Sequence, residues 1–265
     1  MKWIKVVLIV GISIYLLVLL GLYFFQESLI FMDSKLSKDY QFQFENRFEE
    51  VNIIANDGAV LNGVHFKLEN PKGVILYFHG NAEDISRWGI IVQPFLNYNY
   101  EVLVVEYRGY GKSGGDRTST KMYQDAMSWY LQLNQEFSEN EIIVYGRSIG
   151  CTFATYVAAN AKAKKLILET PFYSLKSLVD RRFPLLPTSV LLRFKLPTHS
   201  FIKDVECPIV FIHGTEDEVV PYENGKLLFE QASNATLTTI KGGMHNDLSN
   251  FEEYWKEINK QLTTN

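Results

Sequence analysis

Ile142-Ile143-Val144-Tyr145-Gly146-Arg147-Ser148-Ile149-Gly150-Cys151-Thr152-Phe153-Ala154 opens as a short apolar strand and passes through a glycine-flanked serine. It then enters an alanine-rich stretch that reads as a helix to Asn160. A nucleophile on a tight strand-to-helix turn needs small neighbours two residues to either side. Its backbone is strained there, and the helix packs close to the strand. Gly146 and Gly150 fill those places. Gly-x-Ser-x-Gly recurs by chance; its position between an apolar strand and a helix is what carries meaning.

The same alternation extends in both directions. Upstream, Val51–Ala55 and Val60–Phe66 read as a hairpin across the turn Asn56-Asp57-Gly58. Gly73–Phe78 precedes a helix-like stretch at Asp84–Leu96, and Val102–Val105 precedes another at Thr120–Phe137. Downstream, Leu166–Leu168 precedes an insertion, Ile209–Ile212 precedes Glu223–Ala232, and Ala235–Ile240 precedes an amphipathic stretch to Leu262. Short continuous apolar strands between helices predict a mostly parallel sheet covered on both faces. Ligands of such sheets bind beyond the carboxyl ends of the strands.

The residues just beyond each strand therefore decide the chemistry. Ser148 is a poor nucleophile unless a base takes its proton, and the base needs an acid to orient it. His213-Gly214-Thr215-Glu216-Asp217-Glu218 comes after one strand, and Gly242-Gly243-Met244-His245-Asn246-Asp247 after the last. The chain order Ser148, Asp217, His245 is the one expected of this kind of sheet. Asp217 also reads as a solvated loop acid or a helix N-cap, and His245 as an ordinary loop histidine. Asp247 is the alternative acid. His79 and His213 lack a surrounding ligand cluster and read as loop braces rather than metal ligands. Glu83 and Asp84 read as first-turn helix acids, and Gly111-Lys112-Ser113 lacks the first glycine of a phosphate-binding loop, having Glu106 in its place.

Composition narrows the field. The 265 residues suit one domain plus an appendage. A hydrophobic content of 47% excludes disorder over most of the chain. A net charge of -4 offers no footprint for a phosphate backbone, so no nucleic acid is expected as a partner. Two cysteines, Cys151 and Cys207, exclude a disulfide scaffold and read as small buried hydrophobes.

Val6 to Phe25 carries no charge, and twenty residues at about 1.5 Å each match a bilayer's hydrocarbon core. Lys2, Lys5 and Trp3 precede the run, and it leaves through Tyr23-Phe24-Phe25-Gln26 without a small-x-small cleavage site, which favours an uncleaved anchor over a signal peptide. The expected organisation is a flank at 1–5, a transmembrane anchor at 6–25, a linker at 26–46 and a catalytic domain at 47–265. The expected orientation puts the N-terminus in the cytosol and the domain on the non-cytoplasmic side of a single-pass membrane protein.

Together these residues resemble a serine hydrolase of the α/β-hydrolase fold. The resemblance is strongest to a membrane-anchored α/β-hydrolase-domain subgroup that includes protein depalmitoylases and a serine aminopeptidase-like profile. It covers about 51 to 262 and rests on His79-Gly80-Asn81-Ala82, Tyr107-Arg108-Gly109-Tyr110-Gly111-Lys112-Ser113, the Ser148 turn, Asp217 and Met244-His245-Asn246-Asp247. The implied fold is a mostly parallel eight-stranded sheet with a small cap insertion. The resemblance places oxyanion donors on the backbone N–H groups of Asn81 and Ile149. It implies an acyl ester or thioester substrate and no cofactor or metal. An aminopeptidase-like peptidase is the enzymatic alternative, with Glu169 or Glu216 as a subsite for a substrate amine. A binding protein on an inactive hydrolase scaffold is the other. No cysteine precedes Cys151, so the N-terminal cysteine cluster usual in the depalmitoylases is missing, and Glu106 stands where the subgroup has Asp.

The insertion at 171–203 is the expected cap. It carries Lys176, Arg181, Arg182, Arg193, Lys195 and Lys203 against the single acid Asp180, among Phe172, Leu178, Phe183, Leu185, Leu186, Leu191, Leu192 and Phe194. Cations among large apolar side chains suit a surface resting on anionic headgroups. They equally suit a pocket roof with a solvated rim.

Overall fold

The computed structural model describes residues 2–263. Its centre is an eight-stranded sheet. In chain order the strands are β1 (Phe48–Ile54), β2 (Val60–Phe66), β3 (Val74–Phe78), β4 (Glu101–Val105), β5 (Ile142–Arg147), β6 (Lys165–Glu169), β7 (Ile209–Gly214) and β8 (Ala235–Ile240). Their spatial order is β1-β2-β4-β3-β5-β6-β7-β8. Strands β3 to β8 are parallel, whereas β2 is antiparallel to both β1 and β4. The expected hairpin is β1–β2, turned at Gly58 with φ +84°.

Period-two alternation divides the sheet's apolar side chains between two cores. Leu76, Phe78 and Val144 pack with Met122 and Trp129 of α3 (Ser119–Leu133) and Phe153 of α4 (Gly150–Asn160). Ile75, Tyr77, Ile143 and Tyr145 pack on the other face. Their partners are Ile85 and Trp88 of α2 (Ile85–Val92) and Tyr254 and Ile258 of α9 (Glu252–Thr263). With a helix on each face, every residue of β3 and β5 is buried, hence their unbroken apolar runs. The chain steps from β3 to β4 on one side and then back to β5 on the other. The carboxyl ends of β3 and β5 thus flank the point where strand order reverses.

The apolar N-terminal run forms part of α1 (Lys2–Ile30), a helix long and apolar enough to cross a membrane by length and composition. It extends beyond the expected 6–25 at both ends. The stretch expected as a linker, 26–46, is packed on the domain instead. Tyr40, Phe42 and Phe44 alternate along it; Phe42 is buried, and Phe44 meets Phe66 edge-on at 5.1 Å between ring centroids. Its composition is polar on average, but its aromatics recur at every second residue, the period of a strand laid on a core.

The cap holds three short helices, α5 (Leu175–Arg182), α6 (Thr188–Leu191) and α7 (Thr198–Phe201), and it grips the foot of α1. Gln26 is buried there; its amide donates to Leu191 O at 3.0 Å and its Oε1 accepts from Arg193 N at 2.7 Å. Phe31 packs edge-on to Phe194 at 4.9 Å. The segment between β7 and β8 contains α8 (Tyr222–Phe229).

Close packing where β3, β5 and α4 meet sets the first expected outcome. A Cβ on Gly150 would collide with the carbonyl oxygen of Phe78, and that backbone cannot swing aside. Gly150→Ala is expected to cost about 2 kcal/mol. That is about 4–8 °C in the midpoint of thermal unfolding followed by circular dichroism.

Candidate active site

Ser148 stands at φ +53°, in the left-handed region that non-glycine residues seldom occupy. Three contacts hold it there. Its N–H donates to Glu169 O at 2.9 Å, tying the turn to the end of β6. A Cβ on Gly146 would lie 2.6 Å from Cys151 Cα, so only glycine lets α4 descend that close to β5. Gly150 plays the same part against β3. Strain of this size persists only where the surroundings over-determine it.

The loops after β7 and β8 bring the other two residues to it. His245 Nε2 lies 3.1 Å from Ser148 Oγ, and His245 Nδ1 lies 2.8 Å from Asp217 Oδ2. All three are buried. Asp217 Oδ1 accepts from the N–H groups of Val219 and Val220 at 2.9 and 2.7 Å, which fixes the carboxylate plane. Glu216 N donates to Gly243 O at 2.9 Å, clasping the two loops together. Asp247, the alternative acid, is engaged within its own turn, where its Oδ1 accepts from Met244 N at 2.7 Å.

His213 braces the acid from behind. Its Nε2 lies 2.9 Å from Val220 O and 3.2 Å from Asp217 Oδ2, and a Cβ on Gly225 would collide with its ring. Burial by itself raises the pKa of Asp217. The hydrogen bonds from His213, His245 and the Val220 N–H outweigh it and hold the carboxyl well below the usual carboxylate range. His79 also braces a loop: its Nδ1 lies 2.6 Å from Gly80 O, and its ring stacks on Trp88. Asp84 is the N-cap of α2, accepting from Ser86 N at 2.8 Å.

The loop after β3 runs beside Ser148; a Cβ built on Gly80 would lie 4.0 Å from Ser148 Cβ. Among the described residues, the backbone N–H groups of Asn81 and Ile149 donate to no protein acceptor. Ile149 sits at the N-terminus of α4, where the first amides of a helix lack intrahelical partners.

Arg147 carries no motif that marks it in the sequence, yet it joins three strand ends. Its Nε lies 3.1 Å from Glu169 Oε1, and its Nη2 donates to His245 O at 3.3 Å and to Asn246 Oδ1 at 3.2 Å. Its guanidinium stacks 5.1 Å over Trp88. The other oxygen of Glu169 accepts from Tyr145 OH at 2.6 Å and Tyr254 OH at 3.1 Å. Burial lowers the Arg147 pKa, but Glu169 more than offsets it, and the guanidinium stays charged. The one available signal is an arginine ending an apolar strand, with a glutamate ending the next. Among the described residues, no group of three or more His, Cys, Asp or Glu side chains is arranged to hold a metal ion.

Alongside this geometry, residues 69–201 match the family model described as serine aminopeptidase, S33. The chain belongs to that family of α/β hydrolases. It is similar to an uncharacterized membrane protein of Saccharomyces cerevisiae, with 28% identity over 80% of this chain and 78% of the relative. Protein bem46 of Schizosaccharomyces pombe is 27% identical over 96% and 91%, and human α/β hydrolase domain-containing protein 17B is 29% identical over 71% and 66%. The Pyrococcus furiosus esterase Pf2001 superposes with a TM-score of 0.67 at 20% identity, covering 88% of this chain and 97% of the esterase. That likeness shows the fold. The family match establishes a hydrolase, and the apolar α1, with the yeast relative's name, points to membrane association.

The Asp217 environment carries a pH dependence. Its folded-state pKa lies below the unfolded value of about 3.9. The stabilisation is therefore complete above that pH and is lost as pH falls below it. Asp217→Asn is expected to show a shallower loss of thermal stability than wild type between about pH 5 and about pH 3. Melting curves across that range check it.

Proposed function

We propose that this hydrolase cleaves carboxylic ester or thioester bonds through Ser148, His245 and Asp217 and an acyl-enzyme intermediate. The observation that carries the reading is the unbroken chain of contacts from Ser148 Oγ through both imidazole nitrogens of His245 to Asp217, built on a strained turn. Ser148 Oγ attacks the substrate carbonyl carbon and its proton passes to His245 Nε2. Asp217 accepts from Nδ1–H and stabilises the imidazolium that forms. The N–H groups of Asn81 and Ile149 receive the developing oxyanion. Collapse of the tetrahedral intermediate expels the alcohol or thiol, which takes the proton from His245. Water then attacks the acyl-enzyme by the same route in reverse, releasing the acid and free Ser148. The scheme uses neither metal nor cofactor.

Ester or thioester is favoured over an amino-terminal peptide bond because Glu169, a candidate to hold a substrate ammonium, is already engaged by Arg147, Tyr145 and Tyr254. Glu216 is exposed on a rim that also carries Arg181 and Arg182.

The test is labelling of the purified full chain with a fluorophosphonate probe. Wild type is expected to label and Ser148→Ala not at all, with hydrolysis of p-nitrophenyl butyrate reduced about 10³-fold or more in the variant. A folded wild type that does not label supports the inactive-scaffold alternative instead.

The same reading places α1 across the bilayer and the cap against it. Phe183, Leu185 and Val190 are exposed beside Arg181 and Arg182, and Tyr15 OH, from the middle of the apolar run, donates to Leu185 O at 2.8 Å. From Gln26 to Tyr15 the helix climbs about 16 Å, so the Leu185 loop reaches hydrocarbon depth beside it. A tryptophan introduced as Leu185→Trp in the full chain, reconstituted in vesicles, is expected to add emission that brominated acyl chains quench. Emission quenched only by aqueous iodide would put the loop in water.

A further inference from the structure

Asn81 has a side chain as well as an N–H, and that side chain is committed to the end of α1. Its Nδ2 donates to Ile30 O at 2.6 Å. Ile30 is the last residue of the helix, and its carbonyl is one of those a helix C-terminus leaves without an intrahelical partner. Asn81 Oδ1 accepts from Tyr110 OH at 2.8 Å and, at a longer 3.4 Å, from Met32 N. Tyr110 OH also lies 2.7 Å from Asn81 O, so its one hydrogen is shared between the two oxygens of Asn81. One residue further on, Ala82–Glu83 pairs in parallel with Met32–Asp33.

The segment leaving α1 is itself fixed from outside the loop. Gly111 N donates to Ser34 O at 2.8 Å and Leu36 N to Gly111 O at 3.0 Å. Asp33 pairs with Arg117 at 2.9 Å, and Phe31 is buried against Phe194. Residues 30–36 thus run as a strap from the foot of the helix across the loop after β3.

We propose that this strap positions the oxyanion loop, with the Asn81 side chain as the positioning group for its own backbone N–H, so that the membrane anchor is part of the catalytic apparatus. The inference rests on the serine-hydrolase reading above. A donor matters only if it points where charge develops, and a misplacement of about 1 Å costs on the order of 10² in rate. The loop has other braces, including Trp88 Nε1 donating to Ala82 O at 2.8 Å, so losing one side chain is expected to be partial.

The test uses the full chain in detergent with p-nitrophenyl butyrate. Asn81→Ala keeps the backbone N–H but cuts the tie to Ile30; kcat is expected to fall about 10- to 100-fold with KM within about twofold. Fluorophosphonate labelling slows in step, and the melting temperature stays near wild type. Met32→Pro acts from the strap side by removing the N–H that faces Asn81, while its exposed side chain leaves the core undisturbed. It is expected to lower kcat about 5- to 10-fold, and Met32→Ala, which keeps that N–H, restores it. Folded Asn81→Ala and Met32→Pro proteins with wild-type kcat and labelling rate overturn the strap while leaving Ser148 as nucleophile. Should Asn81→Ala fail to fold, Met32→Pro against Met32→Ala decides alone. A wild type that does not label defeats the underlying reading and the strap with it.

Discussion

The molecule turns on how closely β3, β5 and α4 approach one another around Ser148. No side chain fits at Gly146 or Gly150, so the two strands and the helix meet almost backbone to backbone. That crowding forces the residue between them into φ +53° and lifts its side chain above the carboxyl edge of the sheet. The same proximity sets the N–H of Ile149, at the N-cap of α4 and unpartnered among the described residues, beside the loop after β3. The candidate nucleophile and the candidate oxyanion donors are thus one consequence of a single packing constraint. Loosening it would cost both together.

Loops at a strand edge are mobile unless something joins them, and here buried charge does so. Arg147 and Glu169, ending neighbouring strands, form an ion pair whose spare hydrogen-bonding groups reach His245 O, Asn246, Tyr145 and Tyr254. A buried ion pair is costly to desolvate and adds little net stability. What it supplies in this setting is geometry: the backbone of the histidine loop is held by a rigid fork rooted in β5. Asp217 obeys the same logic, with four donors converging on one carboxylate. Position is bought with desolvation at both places.

Features set by local pattern were legible in the sequence. The six parallel strands, the Ser148 turn and the loops bearing Asp217 and His245 all lie where apolar patterning and turn residues put them. Burial on both faces makes β3 to β7 apolar runs, whereas the edge strand β8 is partly exposed and carries threonines. Features set by contacts distant in the chain were not. Arg147 occupies the variable position of Gly-x-Ser-x-Gly, and nothing local shows that its partner is Glu169, on the next strand over. The segment 26–46 reads as a tether because it is polar on average. Its alternating Tyr40, Phe42 and Phe44 become meaningful only once Phe66 and α2 provide a surface to pack on.

That packed segment changes what the N-terminal helix does mechanically. A flexible tether of some twenty residues would let a domain sample many orientations above a bilayer. Here no such slack exists. Gln26 is buried under the cap, Phe31 lies in the core, and Ile30 is one hydrogen bond from Asn81. The foot of the helix is therefore tied to the edge of the sheet at several points, and a helix oriented by its apolar length would orient the Ser148 edge with it. An acyl chain entering from a membrane would meet a site whose direction was set by the anchor, with no ordering left to be done on encounter. Preorganisation of this kind lowers the entropic cost of bringing the substrate carbonyl to Ser148. It also ties the loop that would hold the oxyanion to the element that would hold the membrane.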